Sequence, residues 1–258
     1  MRANRIKHIW REGGVAINGW LHISSTWSAE LMAHAGWDSI TVDLQHGMHG
    51  FESAIQLLQA ISTTDTVPLV RVNWHEPGSI MRLLDAGAYG VICPMVNTRA
   101  ECEAFVGACR YPPQGYRSLG PTRARVYAGA DYAQHANDEI ITMAMVETKE
   151  ALDNIEAIAS VPGLDAIFVG TGDLRFSLTG AVGFDSDDRV VDAALDTIVA
   201  ACEKNGVVPG LFTASPAYAR QMAARGFRFI TVKTDSMILS EYAARLVDET
   251  RQGINADQ

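Results

Sequence analysis

Short apolar runs alternate along the chain with longer stretches in which apolar positions recur at helical spacing. The short runs are Val15–Leu21, Ser39–Asp43, Val67–Arg71, Gly90–Cys93, Ile140–Val146, Ala166–Val169, Val207–Leu211 and Phe229–Val232. They are rich in Val, Ile and Phe and mostly apolar on successive residues, as parallel strands covered on both faces are. Between them, Ser28–Ala35, Phe51–Thr63, Ser79–Asp85, Arg99–Cys109, Lys149–Ser160, Asp187–Asn205, Pro216–Arg225 and Ser236–Arg251 read as helices. Gly36, Gly87 and Gly206 follow apolar stripes as C-terminal stops, and Ser215-Pro216 reads as a cap and first helical residue. Strict alternation of strand and helix predicts an α/β fold, a (β/α)8 TIM barrel.

An open, doubly wound sheet would want a glycine fingerprint after its first strand, and INGWLHISS has none. No Gly/Ser linker divides residues 1–258, so one barrel domain is expected, with a long loop at about 111–138 punctuated by Pro112, Pro113, Gly115, Gly120, Pro121 and Gly129. A loop of that length in a compact domain is usually functional or interfacial.

The net charge of −9 carries no basic run, so nucleic acid is not an expected partner. Nothing approaches the roughly 18 apolar residues of a membrane span. The start, MRANRIKHIWREGG, scatters charge where a signal peptide would be apolar. Cys93, Cys102, Cys109 and Cys202 lack CxxC spacing and read as free thiols. A cytoplasmic protein is expected.

In such barrels chemistry sits at the C-terminal ends of the strands. The second strand ends in Asp43, with Gln45 and His46 close behind; the third ends in Arg71; Glu147 follows the fifth; Gly170-Thr171-Gly172-Asp173 follows the sixth. Glu147 and Asp173 lie on neighbouring strand ends, about 4.8 Å apart by strand spacing. Two such carboxylates repel unless a cation joins them, and oxygen ligands with open positions suit Mg²⁺, Mn²⁺ or Co²⁺. The alternative is that each caps a helix or pairs with a base. Backbone N–H groups after Gly170 suit a carboxylate or phosphate. An imidazole suits a general base, and His46 stands close behind the second strand end. Arg71 in a barrel mouth needs an anion: a substrate, an oxyanion, or Asp43 or Glu147.

AGWDSITVDLQHG (35–47), PLVRVN (68–73), LLDAGAYGVICPMV (83–96), YPPQGYRSLGP (111–121), MVET (145–148) and IFVGTGDLRFSLTG (167–180) together resemble the HpcH/HpaI family of metal-dependent class II pyruvate aldolases, over about residues 5–250. The resemblance implies that Glu147 and Asp173 bind one divalent metal ion. It implies that Gly172 and Asp173 offer N–H groups to the carboxylate of a 2-oxo acid, that Arg71 polarises the carbonyl, and that His46 is the base, through water. Asp85 matches an aspartate that raises the basicity of that histidine. As Asp85 ends a helix away from the rim, it would reach His46 from a neighbouring subunit, in a homo-oligomer, typically a hexamer. Gln45 and Met145 depart from the Glu and Gln usual there, and Met145 makes the substrate pocket less polar.

The reaction implied is reversible aldol cleavage of a 4-hydroxy-2-oxo acid to pyruvate, or a related 2-oxo acid such as hydroxypyruvate, and an aldehyde, through a metal-stabilised enolate. A Schiff-base mechanism would need a lysine at the rim, and of Lys7, Lys149, Lys204 and Lys233 only the last follows a strand. Two other readings are a metal-enolate lyase acting on an acyl-CoA or oxaloacetate, for which Arg117, Arg123 and Arg125 would form a basic entrance, and a non-catalytic barrel that binds a 2-oxo acid.

Overall fold

All eight apolar runs form parallel strands, and these close into a barrel in chain order. The computed structural model describes residues 1–256. Its elements are α1 (Arg5–Arg11), β1 (Ala16–Leu21), α2 (Thr26–Ala33), β2 (Ser39–Asp43), α3 (Phe51–Ile61), β3 (Val67–Arg71), α4 (Pro77–Asp85), β4 (Gly90–Cys93), α5 (Arg99–Cys109), α6 (Thr122–Ala128) and α7 (Tyr132–Glu139). There follow β5 (Ile141–Val146), α8 (Lys149–Asp153), α9 (Ile155–Ala159), β6 (Ala166–Val169), α10 (Thr171–Thr179), α11 (Arg189–Asn205), β7 (Val208–Thr213), α12 (Pro216–Arg225), β8 (Phe229–Val232) and α13 (Asp235–Ala256).

Three features differ from the pattern-based expectation. α1 precedes the barrel, capped by Asn4, whose side chain accepts from Ile6 N–H and donates to the Tyr89 and Glu139 carbonyls. The 111–138 segment contains α6 and α7 rather than one irregular loop. Lys149–Ser160 breaks at Asn154 into α8 and α9.

Register sets the rim. Asp43 pairs directly with Arg71 across β2 and β3. Val146 pairs with Val169 across β5 and β6, which brings Glu147 beside Gly170. The interior is packed with aromatics: Trp20 stacks on Phe168 with centroids 5.6 Å apart, and Phe168 meets Phe229 edge-on at 6.0 Å. A buried polar layer lies among β1, β2 and β8. There Asn18 donates to Thr231 and accepts from Ser39 and Thr41, so its amide is satisfied without water.

Outside the barrel, one seam is uncovered. Val15, Ile17, Trp37, Ala219, Ile230 and Val232 line an apolar groove between β1, β8 and α12. α13, which follows β8, presents Leu239, Tyr242, Leu246 and Val247 to solvent.

Candidate active site

Asp43 is completely buried at the end of β2 and organises its surroundings. Arg71 donates to it twice, Nε to Oδ1 at 2.8 Å and Nη2 to Oδ2 at 2.5 Å. Trp20 Nε1 and His22 Nε2 lie 3.1 and 2.9 Å from Oδ2. The backbone N–H groups of Gln45 and His46 donate to Oδ1 and fold the β2–α3 turn. Burial alone would push the Asp43 carboxyl up. The hydrogen bonds from His22, Arg71 and Trp20 outweigh burial and hold it well below the usual carboxylate range.

Arg71 thus has the internal ion pair anticipated for it. Its remaining nitrogen, Nη1, lies 3.8 Å from Met145 Sδ. The guanidinium sits 4.9 Å from the Trp20 ring centroid, so Arg71 is fixed by stacking as well as by hydrogen bonds.

Glu147, 2% exposed, accepts the Met95 N–H at 2.8 Å. Met95 takes a left-handed φ of 55° to present that group. Burial pushes the Glu147 carboxyl up to about 7, and the charge of Asp173 pushes the same way against Met95 and Arg71. Gly170 passes so close that a Cβ there would lie 2.5 Å from Glu147 Oε2 and 2.6 Å from Met145 Cε. Asp173 stands in the first turn of α10, whose N-cap, Gly170, supplies no side-chain hydrogen bond. The leading N–H groups of α10 are therefore left for a ligand.

These groups surround a cavity of about 140 Å³ lined by His46, Arg71, Gly172 and Asp173 together with Trp20, His22, Met145, Thr234 and Met237. Phe168, Phe184 and Phe212 form its apolar wall. Asp43, His46, Arg71, Glu147, Gly172 and Asp173 thus gather at one rim, as their positions predicted.

Asp85 does not join them within the chain. It ends α4, which runs back towards the N-terminal end of the barrel, and its carboxylate accepts from Arg117 at 2.7 Å. Arg117 is itself buried there, and Arg123 donates to the Ala86 carbonyl at the same end. Neither arginine forms the basic entrance to the cavity that the sequence suggested.

His22, Thr234 and the anchoring Asp235 were not anticipated. The sequence reading stopped at the last strand residues, Leu21 and Val232, while the side chains that line or anchor the cavity begin one to three residues later. Trp20 was hidden by its apolar character.

The profile of the HpcH/HpaI aldolase/citrate lyase family matches residues 17–241. The chain belongs to that family. Hydroxypyruvate/pyruvate aldolase of Rhizorhabdus wittichii is 38% identical over 248 residues, covering 96% of this chain and 99% of that protein. The 4-hydroxy-2-oxo-heptane-1,7-dioate aldolase of Escherichia coli is 34% identical over 246 residues, 94% of this chain and 93% of its own. Among solved structures, an HpcH/HpaI aldolase/citrate lyase family protein from Burkholderia cenocepacia superposes with a TM-score of 0.90 at 33% identity, over 96% of this chain and all of that one. The barrel and the carbon–carbon lyase class of the relatives agree with the sequence-based expectations. No described helix is long and apolar enough to cross a membrane.

Proposed function

We propose that this family member is a class II aldolase that cleaves and forms 4-hydroxy-2-oxo acids, with pyruvate or a related 2-oxo acid such as hydroxypyruvate as one product and an aldehyde as the other. One observation carries the reading: a buried carboxyl raised to about 7, Glu147, feels the charges of Asp173 and Arg71, and these two line one small cavity with His46. A divalent cation fits this donor set. Glu147 and Asp173 are hard oxygen donors, and a cation would offset the burial that raises Glu147 and the Asp173 charge that adds to it. Two carboxylates fill only part of such a cation's coordination shell, and among the described residues no third His, Cys, Asp or Glu side chain joins them in a metal-holding group. The two carboxylates would therefore hold Mg²⁺, Mn²⁺ or Co²⁺ with positions open to substrate. When bound, the cation supplies Lewis-acid stabilisation of a carbonyl and of the enolate derived from it.

The chain's own residues do the rest. The N–H groups of Gly172 and Asp173 receive the 2-oxo acid carboxylate, to which the start of α10 is electrostatically suited. Arg71 points Nη1 to the carbonyl oxygen, and Asp43 keeps the guanidinium from turning. His46, held in the turn that Asp43 shapes, takes a proton from the methyl carbon through water. Met145, Phe168 and Phe212 exclude bulk water from the enolate side.

Asp85 belongs to the same proposal as a residue that supports His46 from a second subunit, within a homo-oligomer. The uncovered β1–β8 groove and the apolar stripe of α13 support association. The groove lies where a helix following β8 would pack, and we assign it to α13 of a second copy. A cytoplasmic site of action is part of the same reading; all four cysteines are buried unpaired thiols.

Exchange of pyruvate methyl protons with deuterated solvent tests the core of the proposal. Exchange is expected with added Mn²⁺ or Mg²⁺ and is expected to stop with chelator. Exchange that persists unchanged in chelator, or a covalent adduct trapped by borohydride with pyruvate, overturns it.

A further inference from the structure

The turn that leads from β4 to α5 has a backbone its side chain disfavours. Met95 takes a left-handed φ of 55°, a region that residues other than glycine seldom occupy. Such a conformation lasts where the surroundings over-determine it. Here they do so through Asn97. Its Nδ2 donates to the Met95 carbonyl at 3.1 Å, and its Oδ1 accepts the Thr148 hydroxyl. That hydroxyl accepts the Ala151 N–H at 3.0 Å, so its one hydrogen is left for Asn97. The Asn97 N–H donates to Glu101 Oε2 at 2.8 Å. Its carbonyl accepts from Asn154 Nδ2 at 2.9 Å, at the break between α8 and α9. Each polar atom of Asn97 is therefore engaged, and the bonds tie the β4–α5 turn to the residues that follow β5. Between Met95 and Asn97, the Val96 N–H adds a bond to the Met145 carbonyl at 3.2 Å.

The consequence falls on Glu147. Its Oε1 accepts the Met95 N–H at 2.8 Å. Its Oε2 lies 2.5 Å from where a Cβ on Gly170 would stand, so this oxygen is turned to the strand end from which α10 and Asp173 begin. A carboxylate with both oxygens free can turn about its last bond. With one oxygen engaged by a fixed N–H, it presents the other in one place. Asn97 and Thr148 themselves lie outside the cavity lining, so any effect they have on the site passes through Met95.

We propose that the Asn97–Thr148 bridge is a positioning device for the cation site: it locks Met95 in its left-handed conformation, the Met95 N–H then occupies Oε1 of Glu147, and Oε2 alone is offered to a divalent cation. The inference rests on the metal-dependent reading above. Asn97 and Thr148 are positioning residues here, two bonds removed from the ligand oxygen, of the kind that orients a ligand and tunes its affinity without touching the ion.

The test reads Mn²⁺ affinity directly, from the EPR signal of the unbound ion, with metal-stripped full-length protein and no substrate. Asn97→Ala is expected to weaken Mn²⁺ binding about tenfold to hundredfold. A glycine at 95 takes the left-handed backbone without support. In a Met95→Gly background the same Asn97→Ala change is therefore expected to cost about threefold or less. Equal losses in the two backgrounds overturn the proposal, because they show Asn97 acting as a general support of the strand ends and not through the Met95 backbone. Thr148→Val should weaken binding in the same direction, while Thr148→Ser, which keeps the hydroxyl, should stay within about twofold of wild type. If Asn97→Ala does not fold, the Thr148 pair decides: equal affinities of Thr148→Val and Thr148→Ser overturn the proposal. Glu147→Gln separates the two levels. Wild type that binds Mn²⁺ no more tightly than Glu147→Gln removes the metal reading and this inference with it. Mn²⁺ bound through Glu147, with Asn97→Ala as tight as wild type, removes the positioning device alone.

Discussion

Replacing Glu147 by Gln removes the ionisable group but keeps an oxygen for the Met95 N–H. In the fold this carboxyl titrates at about 7 instead of 4.5. A raised acid favours the folded state only while protonated. Its contribution is fully present below about 4.5 and is lost as pH rises through about 7. By pH 8, with metal removed, the ionised side chain costs the wild type about 3 kcal/mol, whereas glutamine titrates nowhere. Metal-stripped Glu147→Gln should therefore be more stable than metal-stripped wild type at pH 8 by about 3 kcal/mol, or roughly 6–12 °C in Tm. At pH 5 the two should nearly coincide. Urea unfolding in EDTA at pH 5, 6.5 and 8, at one fixed protein concentration, measures the difference. Adding Mn²⁺ at pH 8 should raise wild-type stability and leave the variant where it was. A difference that does not change with pH refutes the assignment of the raised acid to Glu147. A variant stabilised by Mn²⁺ as strongly as wild type refutes its place as a ligand.

Asp43→Asn should destabilise the fold by about 3–5 kcal/mol, because Arg71 is left buried without its charge partner. Wild-type stability should also fall in acid, since the depressed Asp43 acid contributes stability above the ordinary carboxylate range that is lost as pH drops through its folded value; thermal melts of both proteins across pH 2–6 check this, and the variant should show the shallower slope. Gly170→Ala should fold yet lose at least about 100-fold in kcat/KM, because the added methyl meets both Glu147 Oε2 and Met145 Cε; proton exchange with pyruvate reads the loss, and near-wild-type exchange would show that the strand end yields freely.

Strand positions were readable because each run had to be apolar on both faces, between the barrel interior and a helix layer. Thr122–Ala128 and Tyr132–Glu139 were not read as helices, since TRARVYA and YAQHANDE carry too few apolar residues to show a stripe, and glycines and prolines flank them. The nearness of Glu147 to the Gly170–Asp173 turn was readable because register across β5 and β6 follows from strand ends alone. Asp43 was placed at the rim correctly. Its full partnership was not visible, because Trp20 and His22 reach it from β1, and spacing along the chain says nothing of side-chain direction across a barrel. His22 and Asp235 were overlooked for a simpler reason: strands end before the turn that brings these side chains to the rim. Asp85 shows the limit of a single chain. Its motif is intact, yet here it serves Arg117.

Twenty-two residues long, α13 extends roughly 33 Å at 1.5 Å per residue. Met237 in its first turn, with Thr234 just before it, forms part of the cavity wall, while the apolar side chains of later turns lie in solvent. The helix is a lever with its short arm in the pocket. The surface that receives Leu239, Tyr242 and Leu246 is thus joined through one continuous helix to the Thr234–Met237 turn, and Asp235 ties that turn to the His22 N–H. Dilution, mutation of the outer stripe or truncation of the tail would thus be felt first at the Thr234–Met237 wall of the cavity, with Glu147 and Asp173 left in place across the barrel.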